Sequence, residues 1–165
     1  MAKPPSPQGI FIKCPRLGTG QEASYPADDV RFRPAAYGLY VREGRILLGR
    51  SRFTNQWDIP GGGVEAWETL EAGMVREFYE ETGVKVHIVR LLDFREGFIA
   101  FGRHPFHSLR YYYAVEGNGD EVLAPDLDEL LSVSWVEPGE IRPEECAAGD
   151  FALIKRVIAT EGKRG

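Results

Sequence analysis

Three carboxylates fall on one turn of one helix in this 165-residue sequence, and their spacing points to chemistry. Glu77, Glu80 and Glu81 stand at i, i+3 and i+4, within about 100° of arc. Like charges so placed repel, and at the C-terminal end of a helix the dipole disfavours them as well. A helical projection sets Leu70, Met74 and Phe78 on the inward stripe and puts Glu81 at nearly the same angle, so one carboxylate is expected to face the buried side. A solvated acidic face is one reading of such a run. A hard divalent cation held by oxygen ligands is the other, and the inward Glu81 favours it. Mg²⁺ is held by few carboxylates together with water and substrate phosphates.

The elements that must position these carboxylates lie on both sides of them. Gly61-Gly62-Gly63 predicts a loop. Thr69 as N-cap and Gly83 as C-terminal stop bound the helix. Upstream, 35–41 and 45–50 read as strands joined by the turn Arg42-Glu43-Gly44, a hairpin. Downstream, 84–94 and 107–116 read as strands, 97–105 as a loop, 120–131 as an acidic connection, 132–136 as a short strand and 150–160 as an amphipathic helix. Residues 34–165 read as one domain. Residues 1–33 read as an N-terminal extension, partly irregular, with a short edge strand at 10–13. Interleaved strands and helices suggest an α+β chain with a mixed sheet covered by helices.

The sequence has 25 acidic and 20 basic residues, a net charge of −5. That excess is local: 62–84 holds six Glu and one Arg, and the remainder is neutral. No basic excess supports a nucleic-acid polymer as partner, whereas a metal-loaded acidic helix admits a small phosphorylated guest. No apolar run approaches the ~18 residues of a membrane span, and no secretory signal is read. Cys14 and Cys146 lie far apart and outside any C-x-x-C, so reduced thiols and a cytoplasmic location are expected.

Gly62, Glu68, Arg76-Glu77, the apolar Phe78, Glu80-Glu81, Gly83 and the apolar Val84 occupy every fixed position of G-x5-E-x7-R-E-U-x-E-E-x-G-U, with U apolar. On these residues the segment resembles the Nudix box. Trp57 and Pro60 before the glycines, Glu65, and Trp135 on a late strand also resemble that family. The resemblance implies an α/β/α sandwich around a mixed β-sheet, the Nudix fold. It implies a hydrolase using Mg²⁺ (or Mn²⁺) to cleave a nucleoside diphosphate linked to another group, with a phosphorylated nucleotide as substrate and often a homodimer as assembly. Carried over by position, Glu77, Glu80 and Glu81 are metal ligands, with the Gly62 or Gly61 carbonyl completing the shell. Glu68 and Arg76 form a supporting pair. The catalytic base is Glu77 or an acid of the later loop. Asp120, Glu121, Asp126, Asp128 and Glu129 qualify there, and Glu129 is the choice.

Two features depart from the usual box. Trp67 is a large aromatic within the loop and is expected to pack. Gly73 costs about 1 kcal/mol relative to Ala within a helix, which close approach of a neighbouring strand would explain. For substrate, Arg50 and Arg52 suit bidentate phosphate binding, and Arg31 and Arg33 add to them more weakly. The aromatic stretch 98–106, with Phe101, suits base stacking, a dimer contact or a core flap. His104 and His107 have no zinc pattern. Residues 99–101 are Ile-Ala-Phe, matching neither the Pro of ADP-ribose enzymes nor the Tyr of diadenosine polyphosphate hydrolases. A MutT-like nucleotide pyrophosphohydrolase is the default, with an ADP-ribose or nucleotide-sugar pyrophosphatase as alternative. A non-catalytic sensing module usually loses box glutamates, and this sequence keeps them all.

Overall fold

Strands with apolar residues on both faces build the centre of the molecule. The computed structural model describes residues 9–119, 122–147 and 149–161. In chain order its elements are β1 (Phe11–Pro15), β2 (Glu22–Pro26), β3 (Arg31–Arg42), β4 (Arg45–Ser51), β5 (Trp57–Asp58), β6 (Gly61–Gly63), α1 (Leu70–Thr82), β7 (His87–Phe101), β8 (His104–Glu116), β9 (Leu130–Val136) and α2 (Asp150–Glu161). Seven strands form one mixed sheet in the order β5-β4-β3-β8-β7, with β6 also on β3 and β9 also on β4. β3 is central: Ala36 and Tyr40 pack with Met74 and Phe78 of α1, while Leu39 packs with Leu153, Ile154 and Val157 of α2. One helix therefore covers each face, as the sandwich reading requires.

β3 and β4 pair antiparallel only at Val41↔Ile46 and Arg42↔Arg45. Most of β3 instead runs parallel to β8, from Arg31↔Phe106 to Tyr40↔Val115. The expected loop at 97–105 is a correction. β7 and β8 stay paired as far as Phe101↔His104, leaving only Gly102 and Arg103 to turn. Gly97 and Pro105 look like breakers in sequence, but the ladder absorbs both, opposite Ser108 and Ala100. The register of β7 shifts twice, between Ile88 and Arg90 and between Leu91 and Asp93.

The N-terminal arm also differs from expectation. β1 and β2 form an antiparallel hairpin, where one short strand and irregular chain were expected. In β2 only Ala23 and Tyr25 turn inward, too short a pattern to read. The hairpin meets β7 where the Leu17 N–H donates to the Ala100 carbonyl (3.0 Å). Pro4, Pro5 and Pro7 lie outside the described residues, as do Asp120 and Glu121 of the acidic connection. Among the described residues no helix is long and apolar enough to cross a membrane. Cys14 and Cys146 are buried free thiols.

The ends of α1 match the sequence signals. The Thr69 hydroxyl oxygen accepts the Ala72 N–H (3.2 Å), and Gly83 takes φ 74° while its N–H donates to the Tyr79 carbonyl (2.7 Å). Thr69→Ala is expected to cost about 1 kcal/mol, which thermal denaturation would register as a fall of about 2–4 °C. The inward stripe is Gly73, Met74, Phe78 and Thr82. Leu70, expected on it, is only half-buried; the tight contact at that end is made by Gly73.

Candidate functional site

The glycine run approaches α1 because no side chain stands in the way. Gly61 sits at φ 136°, and a Cβ there would stand 2.3 Å from the Ala36 carbonyl oxygen, so β6 lies flush against β3. A Cβ on Gly62 would stand 2.7 Å from Glu77 Oε2. The loop thus presents bare backbone to the last turns of the helix, and the Gly61 N–H donates to Glu81 Oε2 (2.9 Å). Gly73 is explained by the same crowding. A Cβ on it would lie 2.9 Å from Val64 Cγ2 and 3.2 Å from Glu68 Oε2, so the close neighbour is the box loop and not the strand expected. Trp67 is 82% exposed, which corrects the expectation that it packs.

Arg76 ties the loop to the helix. Its Nε donates to Glu68 Oε1 (2.7 Å) and its Nη2 to Glu68 Oε2 (2.9 Å) and to the Gly63 carbonyl (3.2 Å). The third nitrogen, Nη1, donates to Glu77 Oε1 (2.8 Å) and Glu80 Oε2 (2.9 Å). The guanidinium hydrogen bonds, with that of the Glu65 N–H, hold the Glu68 carboxyl at about 2.

Glu77 and Glu80 share one Arg76 nitrogen, and Glu81 pairs with no basic side chain among the described residues. Burial pushes Glu81 up to about 8 against the pull of the Gly61 N–H, and the charges of Glu77, Glu129 and Asp58 push the same way. Burial also raises Glu77, opposed by Arg76 and reinforced by Glu80 and Glu129. Asp58, which sequence reasoning missed, is pushed up to about 6 by burial, with a hydrogen bond from Ser51 opposing. Its one available signal was position: an acid between Trp57 and Ile59, just before the glycines.

Glu129 reaches this centre on a loop fastened to the end of α1. The Ala124 N–H donates to the Thr82 carbonyl (2.8 Å) and the Asp126 N–H to the Glu81 carbonyl (3.3 Å). The Asp126 carboxylate is taken up within the loop, accepting the Asp128 backbone N–H at Oδ1 (2.9 Å). Arg52 holds the loop from outside, its Nε donating to the Leu127 carbonyl (2.9 Å) and its backbone N–H to the Glu129 carbonyl (2.9 Å). Arg50 lies over the Trp57 ring (4.8 Å to the centroid) and pairs with Glu145 (3.5 Å). Phe101 sits at the turn end of β7, beneath the Arg33 guanidinium (5.2 Å).

Among the described residues no three acidic, histidine or cysteine side chains close around one point; Arg76 spans Glu77 and Glu80, and Glu81 is turned to Gly61. The donor chemistry still fits a hard divalent cation. Every donor is oxygen, and the half-buried Glu81 carboxylate accepts only a backbone N–H among the described residues.

The family model described as NUDIX domain matches residues 31–157. A MutT-like protein of Streptomyces ambofaciens is 46% identical over 105 residues, 63% of this chain and 63% of that protein. Diphosphoinositol polyphosphate phosphohydrolase 3-alpha of Mus musculus is 48% identical over 69 residues, 39% of this chain and 42% of that protein. The chain thus spans less than two thirds of the length of either relative. The crystal structure of a MutT Nudix hydrolase from Burkholderia pseudomallei is similar in fold, with a TM-score of 0.60 at 22% identity, covering 77% of this chain and 98% of that one. The family match runs from β3 into α2 and so takes in the elements that position the carboxylates: the chain belongs to the Nudix family.

Proposed function

We propose that the chain is a hydrolase that opens a pyrophosphate linkage with the help of Mg²⁺ or Mn²⁺, and that its substrate is a nucleoside diphosphate linked to another group. The observation that carries this reading is the half-buried Glu81 carboxyl, pushed up to about 8 beside Glu77, with only the Gly61 N–H on it among the described residues. Ionising it calls for a cation. In this reading Glu77, Glu80, Glu81 and the Gly62 carbonyl hold the ion. When bound, a divalent cation neutralises phosphate oxygens and lowers the pKa of water. The Arg76–Glu68 fork keeps the glycine run over the helix. Glu129 takes the proton of the attacking water, and Glu77 is the alternative base. Arg50 faces substrate phosphate from the end of β4, while Arg52 keeps the Glu129 loop in place.

The test is hydrolysis of a panel with Mg²⁺ or Mn²⁺: nucleoside triphosphates, nucleotide sugars, dinucleoside polyphosphates, ADP-ribose and a diphosphoinositol polyphosphate, the last because of the relative's name. Product analysis identifies the phosphorus attacked, and no turnover of any member would overturn the reading. Arg76→Lys keeps a charge but cannot fork over Glu68. It is expected to lower kcat about 10–100-fold with an unchanged circular dichroism spectrum.

A further inference from the structure

Three strands bring a second charged group to the sheet face that α2 covers, and the chemistry above leaves it unused. Register sets it out in rows. Arg33 of β3 stands opposite Ser108 of β8, which stands opposite Gly97 of β7; one row on, Ala35 faces Arg110, which faces Arg95. Directly opposed like charges destabilise a sheet. Arg95 is neutralised: it pairs with Asp93 and Asp150 at 3.2 Å each. Arg110 and Arg33 meet no carboxylate within ion-pair distance among the described residues. Asp150, which influences Arg110, is already held by Arg95 and by the Tyr112 hydroxyl (3.2 Å). Asp93 also takes Arg156 (3.2 Å).

Two polar atoms of this group are orphaned. Ser108 is fully buried and, among the described residues, its Oγ has no hydrogen-bond partner, and neither has the buried Arg110 Nε. Native structures rarely leave such groups without one. The row is open on its β7 side, since a Cβ on Gly97, opposite Ser108, would meet none of the described residues within 4 Å. Arg33 is already drawn toward this face by its hydrogen bond to the Tyr37 hydroxyl. It also adjoins the site: a Cβ on Gly63 would lie 3.1 Å from Arg33 Nη2, as one on Gly62 would lie 2.7 Å from Glu77 Oε2. Successive residues of a strand face opposite sides, so Arg33 and Glu77 flank the short β6 from its two faces.

We propose that Arg33, Arg110 and Ser108 bind a phosphate group of the substrate away from the bond that breaks, so that the preferred substrate is multiply phosphorylated. This rests on the hydrolase reading above. Two guanidiniums and a hydroxyl match a phosphate, which takes paired N–H donors from arginine. A nucleobase would leave both charges uncompensated.

The experiment is calorimetric titration of the whole chain with inorganic tripolyphosphate in metal-free buffer. Arg33→Gln and Arg110→Gln are each expected to weaken binding about 10–100-fold, Arg110→Lys to restore part of it, and Arg156→Gln, outside the pair, to leave it unchanged. Thermal melts of the same variants establish that they fold. Failure of the wild-type chain to bind, or a change of less than about twofold in both Gln variants, overturns the site. Glu81→Gln separates the two readings, since it is expected to stop hydrolysis and keep tripolyphosphate binding. Hydrolysis by the wild type with binding unaltered in both Arg variants sinks the phosphate site and leaves the hydrolase. Binding lost in both variants, with no pyrophosphate hydrolysed by the wild type, leaves the phosphate site and sinks the hydrolase.

Discussion

Glu81→Gln is expected to lower turnover by at least about 10²–10⁴-fold and, in metal-free buffer above pH 7, to raise the melting temperature. The two effects have one cause. Burial, with the charges of Glu77, Glu129 and Asp58, pushes the folded carboxyl from 4.5 up to about 8. Between those values the folded chain holds a proton that the unfolded chain has released. Stability from this group is therefore present at low pH and is lost as pH rises through about 8. Gln carries no charge and still offers an oxygen to the Gly61 N–H, so the variant escapes that loss. The gain should be small near pH 5 and roughly 2–5 kcal/mol at pH 8.5, or about 5–15 °C. A saturating divalent cation reverses the order, because it stabilises only the chain that binds it. Melts at the two pH values with and without Mg²⁺, beside a product-release assay, check each part. Undiminished turnover in the variant would end the assignment of Glu81 to the cation.

Gly61→Ala should be the most damaging small substitution in the chain. The new methyl would sit 2.3 Å from the Ala36 oxygen and 2.6 Å from the Tyr37 Cα, at φ 136°. Both neighbours are backbone of the central strand, so neither can swing aside. Relief requires β6 to part from β3, which also withdraws the N–H from Glu81. A loss of about 3–5 kcal/mol is expected, a fall of roughly 6–20 °C in melting temperature. Gly139→Ala is the control: nothing lies within 4 Å of its added Cβ, and it should stay within about 0.5 kcal/mol of the parent. A melting temperature within a degree or two of the parent for Gly61→Ala would show that the loop yields.

The box helix was legible because its signals are local. A cap, a stop and a periodic apolar stripe lie within one run of residues, and the spacing of the glutamates needs only helical geometry. What the sequence hid is whatever depends on register between distant segments. Gly97 and Pro105 look like loop residues until the opposite strand is known. Arg33 and Ser108 become neighbours only through the parallel pairing of β3 with β8, and neither announces the other. Asp58 is a single acid in an apolar stretch, with nothing in spacing to tie it to Glu81. Glu129 stood among five acids of one loop, and the hydrogen bonds that seat that loop on α1 are backbone ones, which carry no residue signature. Trp67 failed for the converse reason: aromatic character suggested packing, and a loop position overrode it.

β7 ends the sheet, and an unpaired strand edge is a template on which further strands can grow. Two register breaks within its first half twist that edge away from a flat ladder, and Arg90, Asp93, Arg95 and Glu96 set charges along it. Its regular second half runs to Phe101, and one residue earlier the N-terminal hairpin takes the Ala100 carbonyl. The arm that reads as an appendage in sequence thus acts as a stop at one end of this edge, where Arg16 and Leu17 take the place beside Ala100 that a strand of another copy would need.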